Sequence, residues 1–137
     1  MNFKYYTCRH CSNQFPSDKM SKDNDIKRGF KFLCKNCSNT ISKNNNNRIR
    51  LEVLNHYTNN NIHCQCVGCT ETHIEFMTID HMNNSGWEHR KSEPSAKYIY
   101  HWLRNNNYPS GFQVLCMNCN HSHGVRGYCP HNKEQTH

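Results

Sequence analysis

Asp80 and His81 are neighbours set between two cysteine pairs, Cys66-x2-Cys69 before them and Cys116-x2-Cys119 after them. Asn120 follows the second pair directly, and His121-Ser122-His123 continues the run. A neutral imidazole suits proton abstraction near neutral pH. A carboxylate and an amide carbonyl are hard oxygen ligands suited to Mg²⁺ or Mn²⁺. Hydrolysing a phosphodiester calls for a base to activate water and a divalent cation to stabilise the leaving alkoxide. These residue types at this spacing therefore point to phosphodiester chemistry.

Such side chains need rigid elements to aim them. In a reducing compartment Cys-x2-Cys pairs signal zinc more often than disulfides. Residues 1–40 read as a first unit, in which Cys8-x2-Cys11 and Cys34-x2-Cys37 stand 22 residues apart. That is the spacing of a four-cysteine zinc ribbon or knuckle, with Phe15, Phe30, Phe32 and Leu33 as its small core. Residues 41–62 read as a connector. Ile49, Val53 and Tyr57 recur every fourth position beside Leu54, which predicts a short amphipathic helix. Arg48 and Arg50 fall at its start, the end at which the helix dipole disfavours cations. They read either as ligands for an external anion or as solvated surface charge.

Residues 63–131 read as a second unit. A strand is expected over 74–82, with Asp80 and His81 near its end on opposite faces. A long excursion follows to about residue 110, containing a helix over 97–104. A second strand is expected over 111–115, then a helix opening at Cys116 that Gly124 helps to end. Cys66, Cys69, Cys116 and Cys119 would hold a second structural zinc. Cys64 and Cys129 are left over and read as plain thiols. Residues 132–137 form a tail. The fold class is α+β, small and zinc-stapled.

Bulk properties agree. The chain has 137 residues, 34% of them hydrophobic, and a mean hydropathy of −1.02. A large apolar core is excluded, and ten cysteines offer the staples that thin-cored chains need. The N-terminus lacks an apolar leader and no run is long enough to span a membrane, so an intracellular, non-secreted protein with no membrane partner is expected. The formal charge of +7 falls to about +3 once eight thiolates and two Zn²⁺ are counted. Local basic clusters at Lys27-Arg28, Arg48 with Arg50, and Arg90-Lys91 favour a polyanionic partner. Short asparagine runs at 44–47, 59–61 and 105–107 read as codon bias rather than prion-like function.

Residues 63–131 resemble the HNH nuclease family, whose ββα-metal finger often carries a four-cysteine clamp. The likeness rests on Cys66, Cys69, Ile79-Asp80-His81, the run from Leu115 to Asn120, and Gly127-Tyr128-Cys129-Pro130-His131. Small phage-type members also carry an N-terminal zinc unit like residues 8–37. The resemblance implies a ββα-metal finger with a long loop insertion, acting as a metal-dependent endonuclease on double-stranded DNA, as monomer or homodimer. By that likeness His81 is the general base, and Asp80 and Asn120 hold one catalytic Mg²⁺ or Mn²⁺ in addition to two structural zinc ions. His123, three residues after Asn120, would share its helix face and touch phosphate, help hold the cation, or simply lie at the surface. The Gly-containing loop after His81 reads either as folding back so that Arg90 or His89 neutralises the scissile phosphate or as a solvated loop, with Glu88 a weaker metal candidate. The family's middle Asn has no clean match; Gly111 and Gln113 lie near its place. Trp102, Tyr98, Tyr100 and Tyr108 read as loop core. Two other readings stand beside this one: a non-catalytic zinc-dependent nucleic-acid-binding protein, and a branched-DNA resolvase.

Overall fold

The structure is a computed structural model that describes residues 4–135. The first three residues and the end of the expected 132–137 tail lie outside the described range. Among the described residues the architecture is α+β, with three separate antiparallel strand pairs and four α-helices. None of the helices is long and apolar enough to cross a membrane. The chain divides into two compact units after Asn47.

In the first unit, β1 (Tyr5–Thr7) pairs with β2 (Gln14–Pro16), and β3 (Met20–Lys22) with β4 (Phe30–Cys34). The turn from Cys8 to Asn13 is closed by the Cys8 amide on the Asn13 carbonyl, and Ser12 takes a left-handed conformation to complete it. Met20, Phe30, Cys8 and Cys34 are buried, with Tyr6, Phe15, Phe32 and Leu33 packed around them. The expected aromatic core is present, enlarged by Tyr6 and Met20. A buried Met or Phe contributes about 1.5–3 kcal/mol, while ordering each backbone residue costs about 1–2 kcal/mol. So few apolar side chains cannot hold this unit unaided, and four cysteines lie at its centre.

Helix α1 (Lys35–Tyr57) begins directly after Cys34 and runs for 23 residues, well before the connector position that the apolar periodicity predicts. That periodicity registers only the part of the helix with a core to face. Ile49, Val53 and Leu54 are buried, whereas residues 39–48 are all exposed. Arg48 and Arg50 consequently lie in mid-helix, so the dipole argument for an anion there fails. Arg50 Nη2 instead donates to the carbonyls of Ile74, at 2.6 Å, and Met77, at 2.7 Å. Arg48 pairs with Glu52 one turn on.

The second unit is built on β5 (Met77–His81) and β6 (Phe112–Cys116). Their register sets Asp80 opposite Gln113 and His81 opposite Phe112. A short 3-10 turn, Ile74–Phe76, replaces the first part of the expected strand. The excursion between the strands is mostly helical: α2 (Gly86–Ser92), a 3-10 segment Pro94–Tyr98, and α3 (Ile99–Asn105). Helix α4 (Met117–Arg126) follows β6 and packs on both strands. It continues through Gly124 and ends at Gly127, whose φ of 73° and bond to the His123 carbonyl form the left-handed stop.

Two cores flank the strand pair. One joins Met77, Val114, Leu115 and Leu54 to six buried or half-buried cysteines. The other joins Ile49, Val53 and Leu103 to Tyr100, Trp102, Tyr108 and Phe112. The expectation of loop core holds for Tyr100, Trp102 and Tyr108, while Tyr98 is exposed. Glu52 ties α1 to the excursion by accepting from Arg104 Nε at 3.0 Å and from the Tyr108 hydroxyl.

Candidate functional site

His81 ends β5, half-buried, and its ring is held by two neighbours. Nε2 lies 2.8 Å from His89 Nδ1, so one imidazole donates to the other. Phe112, its cross-strand partner, packs with ring centroids 4.7 Å apart. His89 in turn meets Trp102 edge-on at 4.3 Å. His89 comes from α2, which starts at Gly86, and a Cβ there would lie 3.2 Å from both His81 Nδ1 and Arg90 Nη1. The absent side chain leaves that ring edge open. Burial first, then the neighbouring His89, hold His81 below the ordinary histidine value; Arg90 adds to this and Asp80 opposes it.

Asp80 points to the other face of the strand and is buried, only 7% exposed. Its Oδ2 accepts from Gln113 Nε2 at 2.9 Å and lies 3.1 Å from His123 Nδ1. Both bonds fall on one oxygen, which leaves Oδ1 as the oxygen for a cation. Asn120 lies on α4, and its orientation follows from its neighbours. The Thr78 hydroxyl donates to the Leu115 carbonyl at 2.9 Å, so its oxygen must accept. The Ile79 carbonyl can only accept. Asn120 Nδ2 donates to both, at 2.7 and 3.3 Å, which turns the amide carbonyl away from the strand. A carboxylate oxygen and an amide oxygen form a hard donor set that fits Mg²⁺ or Mn²⁺.

Ile79, Asp80, His81, Asn84, Gly86, Trp87, Arg90, Asn120 and Gly124 line one open cleft of about 420 Å³. Of the residues singled out from sequence, the cleft thus unites Asp80, His81, Arg90 and Asn120. His89 and Glu88 line a separate hollow behind the His81 ring, so His89 braces His81 rather than facing the cleft. His123 likewise reaches Asp80 from outside the cleft lining, beside Gln113. Gln113 supports the carboxylate of Asp80. The missed contributors are Thr78, Gly86 and Trp87. Thr78 carried no motif signal, whereas the glycine directly after Ser85 marked a close approach.

The cysteines gather into three groups of ligand atoms, each within 4.8 Å of one another. Cys8, Cys11, Cys34 and Cys37 form the group expected in the first unit. Backbone amides face its sulfurs, Cys34 N on Cys8 Sγ at 3.3 Å and Cys37 N on Cys34 Sγ at 3.4 Å. The four-cysteine group of the second unit differs from expectation by one member. It comprises Cys64, Cys69, Cys116 and Cys119, with Cys64 in place of Cys66. The Cys116 amide donates to Cys64 Sγ at 3.2 Å, and Cys69 Sγ lies 3.9 Å from Cys116 Sγ. Tetrahedral zinc with bonds of about 2.3 Å sets sulfurs about 3.8 Å apart, so both four-cysteine groups fit zinc. Cys66 belongs to a third group with Cys119, Cys129 and His131. Neither Cys64 nor Cys129 is a spare thiol by placement. Burial pushes the Cys64 thiol up to about 11 and the Cys66 thiol up to about 12, so a metal must displace their protons at neutral pH.

Comparison with protein-family models, with curated proteins and with solved structures finds no match for this chain.

Proposed function

We propose that the chain is a metal-dependent DNA endonuclease of the HNH type. One observation carries the reading: a buried carboxylate, an amide oxygen, an imidazole held off its protonated form and an arginine line a single open cleft. A zinc-stapled binding module needs none of the four. A neutral His81 that donates its Nε2 proton to His89 keeps the Nδ1 lone pair on the side left open by Gly86. There it takes the proton of the attacking water. Asp80 Oδ1 and Asn120 Oδ1 would hold one Mg²⁺ or Mn²⁺, which would stabilise charge on the phosphate and on the leaving 3′ oxygen. Gln113 and His123 hold the carboxylate in place, and Thr78 holds the amide. Arg90, on the cleft wall, meets the phosphate. Double-stranded DNA is the substrate implied by the sequence resemblance, with 5′-phosphate and 3′-hydroxyl ends as products.

The test is nicking of a supercoiled plasmid with Mg²⁺ or Mn²⁺. His81→Ala should cut about 10²- to 10⁴-fold more slowly while binding DNA equally well. Metal-independent binding without cleavage by the wild-type chain would refute the nuclease and leave a zinc-dependent nucleic-acid-binding protein.

A further inference from the structure

We propose that the second unit holds two zinc ions bridged by the thiolate of Cys119. Two four-ligand sites that share one ligand need seven donors, and Cys64, Cys66, Cys69, Cys116, Cys119, Cys129 and His131 supply that number without remainder. Cys64, Cys69, Cys116 and Cys119 surround the first ion; Cys66, Cys119, Cys129 and His131 surround the second. The donor spacing fits. His131 Nδ1 lies 3.3 Å from both Cys119 Sγ and Cys129 Sγ. A tetrahedral zinc with one nitrogen and one sulfur ligand sets the two about 3.6 Å apart, a shift of tenths of an ångström.

The backbone is shaped for the second ion as well as the first. Gly127 ends α4 in the left-handed region and turns the chain so that Cys129, ten residues after Cys119, returns to it. Ser122 Oγ donates to the Tyr128 carbonyl at 3.2 Å and holds that return. On the opposing knuckle, Gly68 has a φ of +86°, and a Cβ there would approach the His131 carbonyl oxygen to 3.1 Å. A glycine thus stands where any side chain would press the His131 segment away from Cys66. Electrostatics set no obstacle: Cys66 and Cys129 as thiolates, with His131 neutral, balance the added Zn²⁺, and Cys119 is already ionised by the first. His131 is exposed and gives the ion a route in.

The full chain, purified without chelator, should carry three zinc ions by native mass spectrometry and elemental analysis: one in the first unit and two here. Cys129→Ser and His131→Ala should each carry two. Two ions in the wild type, or three in either variant, overturns the proposal. The ¹¹³Cd-substituted wild type provides a test that needs no variant to fold. Two of its resonances should be split by each other through the shared sulfur, with a third unsplit. Unsplit signals throughout would also overturn it. Neither measurement depends on whether the chain cleaves DNA.

Discussion

At the scale of single residues, the cleft shows which of the residues chosen by type the fold brings together and which it sets elsewhere. Asp80, His81, Arg90 and Asn120 were legible because their chemistry is unusual at that spacing, and one cleft unites them. The supporting contacts were not legible, because they depend on register. Gln113 reaches Asp80 only because the strand pairing sets them opposite. His89 reads as a phosphate ligand in sequence, yet it stands 2.8 Å behind His81. That placement makes a pH prediction. Burial and neighbouring positive groups lower the His81 pKa, so the neutral base persists below the pH at which an ordinary histidine protonates. A cation held by Asp80 would act in the same direction. Cleavage should therefore hold on the acid side and fall only below the usual histidine range. His89→Gln removes a neighbour that lowers the His81 pKa, so the acid limb of the kcat profile should move to higher pH. A purely structural role for His89 would lower kcat without moving the limb.

At the scale of elements, β5, β6 and α4 were readable from residue pattern, while β1 to β4 and the extent of α1 were not. Apolar periodicity reports where a helix meets a core, and residues 39–48 meet none. Asparagine is a poor helix former, costing up to about 0.7 kcal/mol relative to alanine, so the 44–47 run concealed the helix. Elsewhere the same residue has a conformational use. Asn59, Asn60, Asn84 and Asn107 all have positive φ, where asparagine is tolerated better than most side chains. Codon bias alone does not explain those positions. Arg50 gives the prediction at this scale. It reads in sequence as an anion ligand or as surface charge, but its guanidinium caps the carbonyls of Ile74 and Met77 at the entry to β5. Hydrogen bonds to a charged group contribute about 1.5–3 kcal/mol each. Arg50→Met should lower the stability of the second unit by a few kcal/mol in denaturant titration. A surface role, with no measurable loss, would show that the two bonds do not hold the strand.

At the scale of the whole molecule, two small cores each enclose their own sulfur ligands. Structural zinc contributes about 10–16 kcal/mol at neutral pH, comparable with or larger than the total stability of an ordinary domain. Each unit should therefore fold or unfold with its own metal. Cys34→Ser should abolish amide protection in residues 4–47 while the second unit keeps both its protection and its zinc, as followed by hydrogen exchange and metal analysis. Loss of protection in both units together would refute separate stabilisation. The cysteine pairs announced this design in sequence, but the choice between Cys64 and Cys66 did not appear there, because it depends on which sulfur receives the Cys116 amide. Cys119 and Asn120 are consecutive on α4. On the readings proposed above, the sulfur that joins two ions is one peptide bond from the amide that holds the catalytic one. On those readings, filling the cluster would set the rotation of α4, and with it the aim of Asn120. A chain synthesised where zinc is scarce would be inert toward the DNA around it, so the cell's zinc supply would act as the licence to cut.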